Sequence, residues 1–249
     1  MRIAVLSDIH GNLEALEATL QDVRLKVCDR IVCLGDVVGY GANPQECVDL
    51  VRSVVWTDET GEYVVKGNHD DAASGGDDSY FNRDAQRAVR WTKDQLDPDS
   101  RRWLSQLPMD LRMEDRVYLV HSSPLEPRHW NYVVSMPDAY IAFQHFTEQI
   151  CFIGHSHVPF HVAKHRYEDE VLVEPDNSLK ILDEYRYLSN VGSVGQPRDG
   201  DARASYVVVD LAQNTLDRYR VDYDRDLAAE KIRNAGLPEF LADRILRGR

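Results

Sequence analysis

Eight side chains with metal-binding atoms fall in five short clusters along this chain: Asp8 with His10, Asp36, Asn68 with His69, His121, and His155 with His157. Carboxylate oxygen, amide carbonyl oxygen and imidazole nitrogen suit Mn, Fe, Zn, Ni or Co, and no thiolate is among them. Each cluster follows an apolar run that reads as a β-strand. In an open α/β sheet, ligands bind outside the carboxyl ends of the strands. The pattern therefore points to a catalytic pair of cations rather than a structural ion. One aspartate can bridge two cations about 3.5–4 Å apart, the spacing of two-metal hydrolases, and Asp36 after Gly35 is the candidate. Asn68 offers a neutral carbonyl ligand, and His69 can work as a proton donor. In Asp8-Ile9-His10 an extended backbone would turn both side chains to one side.

The positioning elements can be read from periodicity. Ile3 to Ser7, Arg30 to Gly35, Tyr63 to Lys66, Val117 to Val120 and Cys151 to Gly154 read as strands, each ending at a cluster. Asn12 is a candidate N-cap for a helix carrying Leu13, Leu16, Leu20 and Val23, and Asn43-Pro44-Gln45-Glu46 carries a capping-box pattern. Residues 82–96, 100–107 and 139–146 read as helices, whereas 70–80, rich in Asp, Gly and Ser, reads as a mobile loop. From Phe160 onward six short strands follow, with a hairpin turn at Gln213-Asn214 and one closing helix over 227–246.

The 249 residues carry a net charge of -13, from 29 basic and 42 acidic side chains. That field repels nucleic-acid backbones and anionic membranes, so neither is an expected partner. It repels phosphate as well, unless bound dications supply local positive charge. The four cysteines form no C-x-x-C pair and read as reduced thiols. No secretory signal opens the chain and no apolar run spans a bilayer, which predicts a soluble, cytoplasmic protein.

Taken singly, each cluster is common in turns; five in succession are not. In this order they resemble the calcineurin-like metallophosphoesterases, whose pattern is D-x-H, G-D-x-x, G-N-H-D or G-N-H-E, a lone His, and G-H-x-H. Here it reads Asp8-Ile9-His10, Gly35-Asp36, Gly67-Asn68-His69-Asp70, His121 and Gly154-His155-Ser156-His157. The resemblance implies a single α/β domain over 1–249, a four-layer α-β-β-α sandwich of two mixed sheets. The second-half strands would form the second sheet, and the terminal helix would pack against it. One ion would bind Asp8, His10, Asp36 and His157; the other would bind Asp36, Asn68, His121 and His155. The implied chemistry is hydrolysis of a phosphoester by a metal-bridging hydroxide, with His69, Asn68 and Asp36 at the reacting centre.

The protein Ser/Thr phosphatase branch carries G-D-x-x-D-R-G, but this chain reads Gly35-Asp36-Val37-Val38-Gly39-Tyr40-Gly41. The missing arginine argues against a protein substrate. The Gly-Tyr-Gly form and the run Asn190 to Arg198 resemble the small prokaryotic phosphodiesterase branch. A small phosphate ester or nucleotide is the expected substrate. A diadenosine tetraphosphate-type hydrolase and a non-catalytic metal-binding scaffold are the rival readings. Gln196, Arg198 and Arg203 sit in one loop and Arg128 in another, and these are the candidate substrate-binding residues, because arginine binds phosphate oxygens bidentately. Association into a homo-oligomer is compatible with all of this.

Overall fold

The computed structural model describes residues 1–58 and 61–249. In chain order the elements are β1 (Arg2–Leu6), α1 (Leu13–Leu25), β2 (Arg30–Cys33), α2 (Pro44–Val54), the short pair β3 (Thr57–Asp58) and β4 (Gly61–Glu62), and three helices, α3 (Asn68–Ser74), α4 (Arg83–Gln95) and α5 (Pro98–Gln106). Then come β5 (Asp110–Met113), β6 (Val117–Val120), a 3-10 turn (Pro127–His129), α6 (Met136–Ala142), β7 (Ile150–Ile153), β8 (Phe160–His165), β9 (Val171–Glu174) and β10 (Ser178–Lys180). The chain closes with β11 (Tyr185–Asn190), β12 (Ala204–Asp210), β13 (Thr215–Val221), α7 (Arg225–Asn234) and α8 (Glu239–Arg247).

Two large mixed sheets result. One runs β10-β13-β12-β1-β2 and the other β5-β6-β7-β11-β8-β9. Side-chain alternation explains why they stack. Ile3 and Val5 of β1 meet Leu119 of β6 and Phe152 of β7 in the core between the sheets. Ala4 and Leu6 point the other way, onto Leu16 and Leu20 of α1 and Val48 and Val51 of α2. On the far side, Tyr118, Val120, Cys151 and Ile153 face Ala139, Ala142 and Phe143 around α6. The order helix, sheet, sheet, helix is the expected four-layer sandwich.

The sheets do not divide the sequence in half as expected. The late strands β12 and β13 pair beside β1, while the early strands β5 and β6 join β7 and β11. The closing helix is two helices, broken at Gly236-Leu237-Pro238, where Gly236 has φ 68° and the proline removes an amide donor. They pack on each other and around Ala88 of α4, on the first sheet's helical side and not against the second sheet. Tyr63 to Lys66 runs beside β2 but forms only one parallel bridge, Cys33 with Val64, because the Tyr63 and Lys66 amides go to Trp56 O and Pro108 O. The expected loop at 70–80 begins inside α3. Asn12 does cap α1, accepting from the Ala15 amide at 3.1 Å. Asn43 makes no cap bond and donates instead to Glu46. All four cysteines are free, and no described helix is long and apolar enough to cross a membrane.

His161 of β8 is buried, with Nδ1 on Ser189 Oγ at 2.9 Å and Nε2 without a partner. Burial, with Arg218 nearby, pushes its pKa down to about 3. The unfolded chain therefore binds one more proton than the folded chain between that value and about 6.5. This stability is complete above the unfolded value and is lost as the pH falls through the window. Replacing His161 with Leu should flatten the acid limb of the stability curve by on the order of 4 kcal/mol. Urea unfolding at stepped pH measures it, and parallel curves for the two proteins would refute it.

Candidate metal centre

The ends of two parallel strand pairs and the first turn of α3 deliver the clusters to one rim. Asp8 and His10 follow β1, Asp36 follows β2, His121 follows β6, and His155 and His157 follow β7. The rim is tied across the sheets: the Asp8 amide donates to Gly35 O, the Gly154 amide to His121 O, and the Gly195 amide to Asp8 O. Extended backbone is not what aims Asp8 and His10. Asp8, His10, Asp36, Tyr40, His155 and His157 all have positive φ, between 49° and 64°. Non-glycine residues held there cost roughly 1–3 kcal/mol each, and such strain gathers where function demands a geometry. Two glycines allow the close approach. A Cβ at Gly67 would run into Asp36 Oδ1, and one at Gly154 into Asp8 Oδ2 and Ser7 Oγ.

The four ligand-type histidines share one design. His10 Nδ1 faces Val38 O at 3.2 Å, His157 Nδ1 faces Gln196 O at 2.6 Å, His121 Nδ1 faces Leu34 O at 2.8 Å, and His155 Nε2 faces Trp130 O at 2.9 Å. A carbonyl oxygen only accepts, so each of these nitrogens carries the proton in the neutral ring. The opposite nitrogens are then bare, and they meet in pairs. His10 Nε2 is 3.1 Å from His157 Nε2, and His121 Nε2 is 3.2 Å from His155 Nδ1. Asn68 Oδ1 lies 3.3 Å from His121 Nε2.

Asp36 stands between the pairs, with Oδ2 3.6 Å from His10 Nε2 and 3.4 Å from His121 Nε2. Its Oδ1 accepts from the His69 amide at 2.8 Å. Asp8 Oδ2 is held by Ser7 Oγ and the His155 amide, while Oδ1 is buried, lacks a hydrogen-bond partner and lies 3.2 Å from His157 Nε2. Ring nitrogens crowded together around a carboxylate form a ready donor set, and a partnerless buried carboxylate oxygen is unfavourable. A cation on each side of Asp36 would use the first and relieve the second, so this donor set fits divalent metals. Three groups of converging ligand atoms form it: Asp8, His10 and His157; His10, Asp36 and His69; Asp36, His121 and His155.

The electrostatics agree. Burial alone would raise the Asp8 and Asp36 carboxyls, but the imidazoles around them, His157 foremost for Asp8 and His121 for Asp36, hold both well below the usual range. Burial pushes His155 down to about 4 and His157 to about 3, which keeps both neutral as ligands must be. For His121 the Asp36 carboxylate outweighs burial and raises the ring to about 9, so without a cation this imidazole is protonated at neutral pH and would have to lose its Nε2 proton to become a ligand. Burial and the Asp36 charge push Asp70 up to about 7, and its oxygens hold the Val38 and Gly67 amides beside Asp36.

A cavity of about 220 Å³ opens over Asp36, Asn68, His69, His155 and His157. Tyr40, Tyr80, Phe81, Trp130, Tyr132 and Arg198 wall it. Tyr132 stacks on His155 at 4.1 Å, and Tyr40 lies 4.3 Å from the His69 ring. Of the substrate-binding candidates, Arg198 lines this cavity. Gln196 is buried behind it and accepts from Arg198 Nη2 at 2.8 Å. Arg203 is turned away and paired with Asp201 at 2.7 Å. Arg128 is exposed and lines a separate groove with Asp110 and Glu126. The sequence reading assigned no site role to Tyr40, Tyr80 or Phe81. Tyr40 had a signal, its place between two glycines four residues after Asp36; Tyr80 and Phe81 had none, since they arrive from a stretch that reads as loop.

The model of the calcineurin-like phosphoesterase superfamily domain matches residues 1–214. The chain belongs to that superfamily. It is 39% identical to an uncharacterised protein of Methanocaldococcus jannaschii, with 99% of this chain and 98% of the relative covered. The crystal structure of a metallophosphoesterase from Sphaerobacter thermophilus is 38% identical and superposes with a TM-score of 0.86, covering 100% of this chain and 99% of that one. A hypothetical protein from Pyrococcus horikoshii, 19% identical, shares the fold at a TM-score of 0.79, covering 100% of this chain and 98% of that one. The superfamily's chemistry is phosphoester hydrolysis, and this chain carries its full motif order on one rim.

Proposed function

We propose that this chain hydrolyses small phosphodiesters or nucleotides with two divalent cations drawn from Mn, Fe, Zn, Ni and Co, one on each side of Asp36. The observation that carries the reading is the placement of Asp36 Oδ2 between two pairs of imidazoles whose ligand-type nitrogens face each other. Asp8, His10, Asp36 and His157 would hold one ion, and Asp36, Asn68, His121 and His155 the other. When bound, the ions lower the pKa of coordinated water toward neutrality and offset negative charge on the phosphoryl oxygens.

The protein's own groups do the rest. Val38, Leu34, Trp130 and Gln196 carbonyls fix the four ring orientations before anything binds. Ser7, the hydroxyl beside Asp8, is committed to Asp8 Oδ2 at 2.6 Å and is a poor nucleophile candidate. His69 lines the cavity, and burial holds its pKa well below 6.5. A neutral imidazole still keeps one N–H, so His69 can donate a hydrogen bond to a phosphoryl or leaving-group oxygen. The aromatic walls offer flat apolar faces and favour a substrate with a flat group, such as a nucleobase.

The test is a screen of metal-reconstituted protein against p-nitrophenyl phosphate, bis-p-nitrophenyl phosphate, 2′,3′-cyclic AMP and diadenosine tetraphosphate. Turnover strongest on a diester supports the reading, and preference for diadenosine tetraphosphate moves it to an anhydride hydrolase. No turnover on any of the four at saturating metal leaves only a binding scaffold. Within the screen, His69→Ala should keep its metal content while kcat falls about 10²–10³-fold. Metal analysis alongside kinetics checks this, and an unchanged kcat removes His69 from the reaction.

A further inference from the structure

The superfamily model matches residues 1–214, and α7 and α8 lie beyond that match. They nevertheless pack behind the wall of the candidate site that Arg198 forms. The Gly200 amide donates to Gly248 O just after α8, which ties the helix to the loop that carries Arg198. Arg244 of α8 donates from Nη1 to Gln196 Oε1 at 3.3 Å, the same oxygen that accepts from Arg198. Arg198 in turn lines the cavity over Asp36 and sits 5.7 Å from the Tyr40 ring.

Two half-buried guanidinium groups thus converge on one neutral amide. Other arginines of this neighbourhood are paired with acids: Arg203 with Asp201, and Arg220 with Asp199. Among the described residues, Arg198 and Arg244 have no carboxylate within 4.0 Å. Their shared acceptor, Gln196, is buried, and its Nε2 has no partner; Arg244 Nε has none either. Phe240 backs Arg244, with the guanidinium 4.4 Å from the ring centroid, and keeps it directed. Like charges held together in a chain of net charge -13, without an acid to offset them, leave a local positive site open to an anion. Planar forks with spare N–H groups match phosphate oxygens in particular.

We infer that Arg198 and Arg244 form a second anion subsite beside the metal centre, reading an additional phosphoryl group on the substrate. This rests on the phosphoesterase reading and narrows it to phosphoesters that bear two or more phosphoryl groups. The metal centre takes the one that reacts, and the arginine pair takes a neighbour. The terminal helices thereby take part in substrate selection.

Calorimetric titration of the Mn-loaded full chain with AMP and with ADP tests this. The protein should bind ADP at least about tenfold more tightly than AMP, the scale of one charge-assisted contact. Arg244→Gln should bring that preference below about threefold, and Arg244→Lys should restore part of it. Thermal melts confirm that the variants fold, and the lysine variant separates lost charge from lost packing. Equal affinity of the unaltered chain for both nucleotides, or an undiminished preference in Arg244→Gln, overturns the subsite. Turnover of bis-p-nitrophenyl phosphate, measured on the same preparations, reports on the phosphoesterase reading independently. Hydrolysis with no ADP preference sinks the subsite alone.

Discussion

Asp36→Asn should reduce the metal content from two ions per chain to one at most and lower kcat/KM at least about 10³-fold. The substitution is nearly isosteric, and the amide oxygen can still accept from the His69 amide as Oδ1 does now. What it removes is the charge that both imidazole pairs share, because Oδ2 is within 3.6 Å of His10 Nε2 and 3.4 Å of His121 Nε2. An amide NH₂ in that place would aim donors at the region where cations belong. Elemental analysis and kinetics on the variant decide the matter. Two ions retained with activity within tenfold of the parent would show that Asp36 does not bridge.

Loading with Mn or Zn should raise Tm by about 10 °C or more, and EDTA should reverse the rise. A ligand at a thousand times its Kd stabilises by about 4 kcal/mol, and in a chain of this length each kcal/mol moves Tm by roughly 2–4 °C. The source is visible in the rim. Asp8 Oδ1 is buried without a hydrogen bond, and two pairs of ring nitrogens crowd together at 3.1 and 3.2 Å. Six side chains there also hold positive φ. Bound cations would turn these groups into ligands, and the strained backbone is held by the surrounding sheets. Scanning calorimetry with and without metal reads the difference, and coincident melting curves would sink the proposed centre.

The site was more legible in the sequence than the path of the chain. Asp8, His10, Asp36, Asn68, His121, His155 and His157 each mark the place where an apolar run stops, and the structure gathers them at one rim. Their order in the sequence carried the family resemblance. The sheet assignment was not legible, since strand partners are chosen by packing across the whole domain. β12 reads as an ordinary buried strand, and nothing local says that it pairs with β1 rather than with its sequence neighbours. Tyr63 to Lys66 has the composition of a strand, yet it makes only one bridge to β2, because the Tyr63 and Lys66 amides find partners at Trp56 and Pro108. The helix at Asn68 was masked by the Asp, Gly and Ser that follow it. Arg244 was invisible as a site residue because its role depends on a contact 48 positions away.

The pairing of β1 with β12 also sets when the centre can come into being. β1 delivers Asp8 and His10, but its antiparallel neighbour spans residues 204–210. Synthesis proceeds at about 5–20 residues per second, so the amino-terminal strand waits on the order of ten seconds or more for that neighbour. Metal loading would therefore follow translation rather than accompany it, and a ribosome-held fragment lacking β12 should leave its aspartate and histidines exposed to whatever ions the surroundings offer.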